Sequence, residues 1–163
     1  MEAAGWSDFF VAEVGAAAAL SGLVIVAISI NLQSILTNPH VLPGRAGESL
    51  TTLVGALMVA SAGLIPHQPI KLLGSEILAV GLCVLITAAV LQIKSIVRVK
   101  KQPVDWWLPR LIIGLATTLP MIAGGLLLVL AMPEGMYWVA AAVLLSLAAG
   151  VFNTWILLIE ILR

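Results

Sequence analysis

Two glutamates inside long apolar stretches are the residues of this chain best suited to chemistry. Glu13 and Glu76 each lie four residues after the start of a hydrophobic run, which begins at Phe9 or at Leu72. In a helix, this spacing places both carboxyl groups about 6 Å below the start of the run. Ionisable groups at such a depth are costly and usually mark an ion or substrate pathway. A pair of carboxylates could share a proton or hold a small cation there.

The helical faces on which these glutamates lie favour a shared role. At 100° per residue, Glu13 shares a stripe with Asn31, and Glu76 shares a stripe with Thr87 and Lys94. We therefore predict ion binding by the two glutamates and an inner pathway lined by the other three residues. Lys94 would disfavour cations at the inner mouth. The structural alternative is that both carboxylates reach the lipid headgroups or serve only as hydrogen-bonding groups.

The elements that position these residues are five hydrophobic runs. The chain of 163 residues is 61% hydrophobic and only 10% charged, whereas a soluble domain carries about 25% charged residues. Its mean hydropathy is +1.14. Each run is long enough to cross a bilayer core, which needs about 20 apolar residues. The predicted spans are 9–32, 50–66, 72–93, 111–131 and 136–159. The sequence predicts an all-α integral membrane protein, one domain over 1–163, with five transmembrane helices.

The basic residues predict the orientation of this bundle. Seven of the eight fall on one side of the predicted membrane, and Lys71 lies on the other. The seven are Arg45, Lys94, Arg98, Lys100, Lys101, Arg110 and Arg163. Because basic residues in short loops stay cytoplasmic, the amino terminus is predicted outside and the carboxy terminus inside. An acidic start without lysine or arginine predicts a retained first helix. The compact loops favour a multi-pass protein of the plasma membrane, of the bacterial inner-membrane kind.

An offset of 63 residues aligns two parts of the chain. It superimposes Glu13 on Glu76, and LMVASAGLI (57–65) on PMIAGGLLL (120–128). One interpretation is a parallel repeat, in which the first and second helices match the third and fourth and the fifth is an addition. Such repeats often have a transport site at their interface. The alternative is a chance alignment of apolar helices.

Small residues provide candidate surfaces for close helix packing or for oligomer contacts. The predicted packing residues are Gly15, Gly22, Gly74, Gly81, Ser146, Gly150 and Asn153. Five short helices enclose little space, so we expect any pathway to form in a homo-oligomer, with the lipid bilayer as the surrounding partner.

The remaining charged and helix-breaking residues predict local features. Arg45 and Glu48 are one helical turn apart and predict a local ion pair. Glu160, close to Arg163, predicts a solvated helix end. Pro120, in the middle of a span, predicts a kink.

Several classes of function are disfavoured by what the chain contains. Cys83 is the single cysteine, and His40 and His67 fall on opposite sides of the predicted membrane, so no metal site or cofactor is expected. A net charge of zero disfavours a nucleic-acid partner. No phosphate-binding loop or hydrolase motif occurs, so an enzyme is not expected. Two hypotheses remain: a channel or transporter for protons or small cations, and an accessory protein that binds another membrane protein.

Overall fold

The computed structural model describes residues 3–37, 42–98 and 104–161, and over these ranges the protein is entirely helical. A short 3-10 turn, Ala3–Trp6, leads into the first of six α-helices. They are α1 (Ser7–Ile30), α2 (Leu32–Thr37), α3 (Leu42–Ala62), α4 (Ile70–Arg98), α5 (Val104–Val129) and α6 (Gly135–Ile161).

Within the described ranges, four helices are long and apolar enough to cross a membrane: α1, α4, α5 and α6. These helices support an all-α, multi-pass membrane protein. α3 differs from them because Arg45 and Glu48 lie in its first turns and reduce its apolar length. His40, Lys100, Lys101 and Arg163 lie outside the described residues.

The boundaries of α3 depart from the predicted span of 50–66. The helix starts at Leu42, because Pro43 fits in a first turn, where its missing N–H has no helical partner to lose. It ends at Ala62, and turn hydrogen bonds from Leu64 to Ser61 and from Ile65 to Ala62 follow. Pro66 cannot continue a helix and disfavours helical backbone at the residue before it.

α3, α4, α5 and α6 form a four-helix ring, in which each helix packs against the next and α6 closes back onto α3. α1 packs on the outside of this ring, mainly against α3 and with a smaller contact to α6. At the start of α1, the Trp6 ring meets the Tyr137 ring edge-on, with centroids 5.1 Å apart. The ring interior is filled by buried apolar side chains. They include Val59, Leu73, Ile77, Met121, Leu128, Val139 and Val143.

Glycines determine how closely these helices approach. A Cβ at Gly74 of α4 would lie 2.6 Å from the backbone nitrogen of Val129. A Cβ at Gly150 of α6 would lie 2.5 Å from the Leu53 side chain of α3. In α1, by contrast, a Cβ at Gly15 or Gly22 would meet nothing within 4 Å. Small residues therefore tighten the ring and leave one face of α1 open.

The other predicted packing residues also fall at contacts within the chain. A Cβ at Gly81 would lie 3.2 Å from the side chain of Ile122. Ser146 is 1% exposed, and Asn153 is half-buried. The small residues Ser146 and Gly150 of α6 therefore lie inside the protein, where Gly150 meets Leu53.

Candidate functional site

Glu13 carries a buried carboxylate oxygen without a donor. The residue as a whole is half-buried in α1, and its Oε2 is inaccessible to solvent and has no hydrogen-bond partner. Among the described residues, no donor replaces the hydration that this oxygen loses. A proton or a bound cation on the oxygen would compensate for this loss.

Glu76 has one partner, which is uncharged. The Gln68 side chain, in the connection between α3 and α4, donates from Nε2 to Glu76 Oε2 at 2.6 Å. The Oε1 atom of the same Gln68 is buried without a partner. His67, next to it, has a φ of 57°, in the left-handed region that a turn of this kind requires. The connection therefore folds back over the first turns of α4 and covers its carboxylate.

The two carboxylates lie at similar depths on different helices. Gly63, directly after α3, faces the Phe10 ring, and Gly55 of α3 faces Val84 of α4. α3 and α4 are antiparallel, so a residue after Gly55 is about level with the residue that precedes Val84 by the same number of positions. By this count, Glu76 is about level with Gly63, and hence with Phe10. Glu13 is three residues beyond Phe10, or about 4.5 Å deeper.

These carboxylates are not joined directly. α1 and α4 both pack on α3, with little contact between them. Among the described residues, no hydrogen bond connects Glu13 with Glu76; the carboxylate of Glu76 accepts from Gln68 instead. We call the end of the molecule that carries both glutamates the carboxylate end.

The three residues predicted to line a pathway do not face the interior of the ring. Asn31 ends α1, and its Nδ2 donates to the Ala27 carbonyl oxygen at 2.9 Å. Thr87 and Lys94 lie on the exposed surface of α4. Between the two ends of the ring, the buried side chains are mainly the apolar ones named above, with a few hydroxyl groups among them. One protomer therefore contains no continuous polar route among its described residues.

The opposite end of the molecule, which we call the ion-pair end, contains a buried charge network. The Arg110 guanidinium of α5 binds the Glu48 carboxylate of α3 through two hydrogen bonds, Nε to Oε2 at 3.1 Å and Nη2 to Oε1 at 2.6 Å. Both side chains are less than a tenth exposed, at 6% and 7%. Nη1 of Arg110 also donates to Ser95 Oγ at 3.3 Å, which adds α4 to the network. Bidentate arginine–carboxylate pairs are among the strongest and most directional polar contacts in proteins.

A second ion pair extends this network to α6. The Arg45 guanidinium lies 3.1 Å from the Glu160 carboxylate, and both side chains are largely buried. Arg45 precedes the apolar part of α3. Burial lowers the pKa of its guanidinium, and the charge of Glu160 acts in the opposite direction. All four helices of the ring are thus connected by polar contacts at this end.

The predicted ion pair between Arg45 and Glu48 is therefore wrong, and so is the predicted solvated position of Glu160. Two charges one turn apart on α3 point towards different neighbouring helices, which hold a better placed partner for each. Sequence reasoning treated these residues as ends and loops. One signal in the sequence could have indicated this network. Its two acids and two bases all lie at ends of apolar helices that are predicted on the same side of the membrane.

Comparison with protein-family models, with curated proteins and with solved structures found no significant match.

Proposed function

We propose that this protein binds a proton or a small cation at Glu13 and Glu76 and moves such ions as a small channel or transporter. The observation that carries the proposal is the buried Oε2 of Glu13, which has no donor. An oxygen of this kind is a ready acceptor for a proton or a cation, because ligation would replace hydrogen bonds that the fold does not provide. Glu76, whose carboxylate accepts a hydrogen bond from the Gln68 amide, is the second ligand of the proposed site.

The proposed route runs along a contact between copies of the chain. The buried core of the ring is mainly apolar, so we expect no path for ions through a single protomer. α1 leaves an exposed face with open space at Gly15 and Gly22, which a homo-oligomer could use for assembly. This face lies roughly opposite the helix face that carries Glu13.

The proposed membrane arrangement has five crossings, with α3 as the second. Its residues from Leu50 to Ala62 are apolar apart from small polar groups, and its charges are neutralised by partners on α5 and α6. We keep the orientation inferred from the basic residues, with the carboxylate end outside and the ion-pair end in the cytoplasm. The proposed location is the plasma membrane, of the bacterial inner-membrane kind.

A second candidate function is an accessory protein that binds another membrane protein without moving ions. Two observations favour it. The hydrogen bond from Gln68 covers the carboxylate of Glu76, and the exposed face of α1 is available to a foreign helix as well as to a second copy.

Ion flux in liposomes distinguishes these candidates. Purified protein would be reconstituted and its flux followed with a pH-sensitive dye under imposed proton and cation gradients. We expect flux above that of empty liposomes, and we expect its loss in the double variant Glu13→Gln with Glu76→Gln. Glu134→Gln is the matched control, because Glu134 is an exposed acid in the connection between α5 and α6.

Flux that is absent under every gradient, from protein that is folded, would reject ion movement and leave the accessory function. Flux that persists in the double variant would reject the two glutamates as its site.

A further inference from the structure

A groove of about 510 Å³ lies between α3 and α4 on the outer surface of the ring. Its floor is the closest approach of the two helices, where a Cβ at Gly55 would lie 2.6 Å from Val84. Its walls are mainly apolar and include Val54, Met58 and Ala79. Cys83 and Thr87 also line the groove, and both are exposed.

The depth of the groove determines what can occupy it. α4 is a candidate membrane span from Ile70 to Ser95, and the groove residues of α4 lie in the middle of that span. At this depth the surroundings are lipid chains, and an apolar trough running between two helices suits an acyl chain.

Lys94 adds a charge at the end of the groove. It lies seven residues after Thr87 on the same stripe of α4, in the last turn of the candidate span. Its side chain is exposed and makes no ion pair among the described residues. The rise of the helix puts Lys94 about 10 Å from Thr87 and about 16 Å from Cys83. One leaflet of a bilayer core is about 15 Å deep, so a lipid with its phosphate at Lys94 would reach Cys83 with its chain.

Two buried acids at the same end of the ring do not compete for Lys94. Glu48 is bound by Arg110, and Glu160 is paired with Arg45. Among the residues that the structure describes, Lys94 thus has no acidic partner, and it lies at the level of the headgroups beside an apolar trough.

We propose that this groove is a binding site for an anionic phospholipid, with one acyl chain between α3 and α4 and the phosphate group at Lys94. The site is independent of the glutamates and of the proposed ion movement. It would hold one lipid against the ring at the ion-pair end, in the leaflet on that side of the membrane.

Lipid titration of the purified full-length protein in mild detergent tests the proposal. The probes are phosphatidylglycerol and phosphatidylcholine with identical acyl chains, and binding is read by native mass spectrometry. We expect the anionic lipid to bind about five-fold more tightly, the effect of one lysine at a membrane surface. Lys94→Gln should abolish this preference. Lys71→Gln is the matched control, because Lys71 is an exposed lysine at the other end of the same helix.

Two further measurements test the position of the acyl chain. Ala79→Phe, which fills an exposed part of the groove, should weaken the binding of both lipids. In the wild-type protein, phosphatidylglycerol should slow modification of Cys83 by a membrane-permeant maleimide, and this readout needs no variant of the groove.

Three results would overturn the proposal. The first is equal binding of the two lipids to the wild-type protein, and the second is an equal loss of preference in Lys71→Gln and Lys94→Gln. The third is efficient disulfide cross-linking through Cys83 between two copies, which would show that a second copy of the chain occupies the groove.

Discussion

The two helices that carry the glutamates, α1 and α4, share a few sequence features and have very different surroundings. Each has one glutamate near its start and two glycines seven residues apart, Gly15 and Gly22 in α1 and Gly74 and Gly81 in α4. α4 lies between α3 and α5, and both of its glycines meet α5. α1 packs mainly on α3, and both of its glycines face open space.

The difference shows that a small-residue pattern produces close packing only where a neighbour offers a matching surface. α5 offers Gly125 opposite Gly74, so the two backbones approach until Gly74 lies near the Gly125 carbonyl oxygen. α3 instead receives α1 through large side chains, such as the Phe10 ring at Gly63. The ring should therefore respond strongly to changes that α1 tolerates.

The largest effect is expected from the charge network of the ring. Arg110→Met would leave the Glu48 carboxylate buried without a partner, which typically costs about 3 to 5 kcal/mol. We expect a corresponding fall in the free energy of unfolding, measured by denaturant titration in detergent micelles. α1 contributes no residue to the Arg110–Glu48 pair, so the loss would belong to the ring.

The double variant Arg110→Met with Glu48→Leu distinguishes two contributions to the free energy of unfolding: the stabilisation by the ion pair, and the cost of a buried charge that has no partner. We expect it to recover much of the stability, because two apolar side chains can replace a buried ion pair at little cost. A single variant as stable as the wild-type protein would mean that Glu48 has another partner, and the network would then not hold the ring together.

This network also marks the limit of what the sequence predicted. The hydrophobic runs predicted the four long apolar helices α1, α4, α5 and α6, because long apolar stretches have few alternatives in a membrane. The bounds of α3 differ from its predicted span of 50–66. The partners of Arg45, Glu48 and Glu160 could not be predicted, because they depend on which helices become neighbours. Local spacing suggested a pair on one helix, whereas the ring pairs each charge with a different helix.

The start of α3 and the glutamates show the same limit. The predicted span began at residue 50, yet a proline is tolerated in a first turn, and α3 begins one residue before Pro43. The similar depths of Glu13 and Glu76 followed from counting residues along their helices. Whether the helix faces that carry them converge depends on α3, which lies in contact with both α1 and α4.

An intermediate effect is expected from a methyl group added to each of the two helices. In Gly74→Ala, the new Cβ would lie 2.6 Å from Val129 N and 2.9 Å from Gly125 O, and these backbone atoms cannot move without separating α4 from α5. Overpacking of this kind typically costs about 1 to 3 kcal/mol. In Gly22→Ala, the methyl group meets nothing, and alanine favours helix by up to about 1 kcal/mol.

Thermal unfolding of the two alanine variants, measured side by side, would check this contrast. We expect a lower midpoint for Gly74→Ala and an unchanged or higher midpoint for Gly22→Ala. A Gly22→Ala variant that loses stability would indicate that the exposed face of α1 is covered by a second copy in the purified protein, and dilution should then lower its midpoint further.

The smallest effect on the free energy of unfolding is expected from changes to the glutamates themselves. The direction of this effect should differ between α4 and α1. Glu76→Gln replaces a charged acceptor of the Gln68 amide by a neutral one, which should lower the free energy of unfolding by about 1 kcal/mol. Glu13→Gln removes a carboxylate whose buried oxygen has no donor, so stability should be unchanged or slightly higher. Both values would come from the same denaturant titration at neutral pH.

A larger loss in Glu13→Gln than in Glu76→Gln would mean that an ion or a partner binds Glu13 and stabilises the folded protein. In that case, the contact that contributes most to stability at the carboxylate end would belong to α1 and not to the ring.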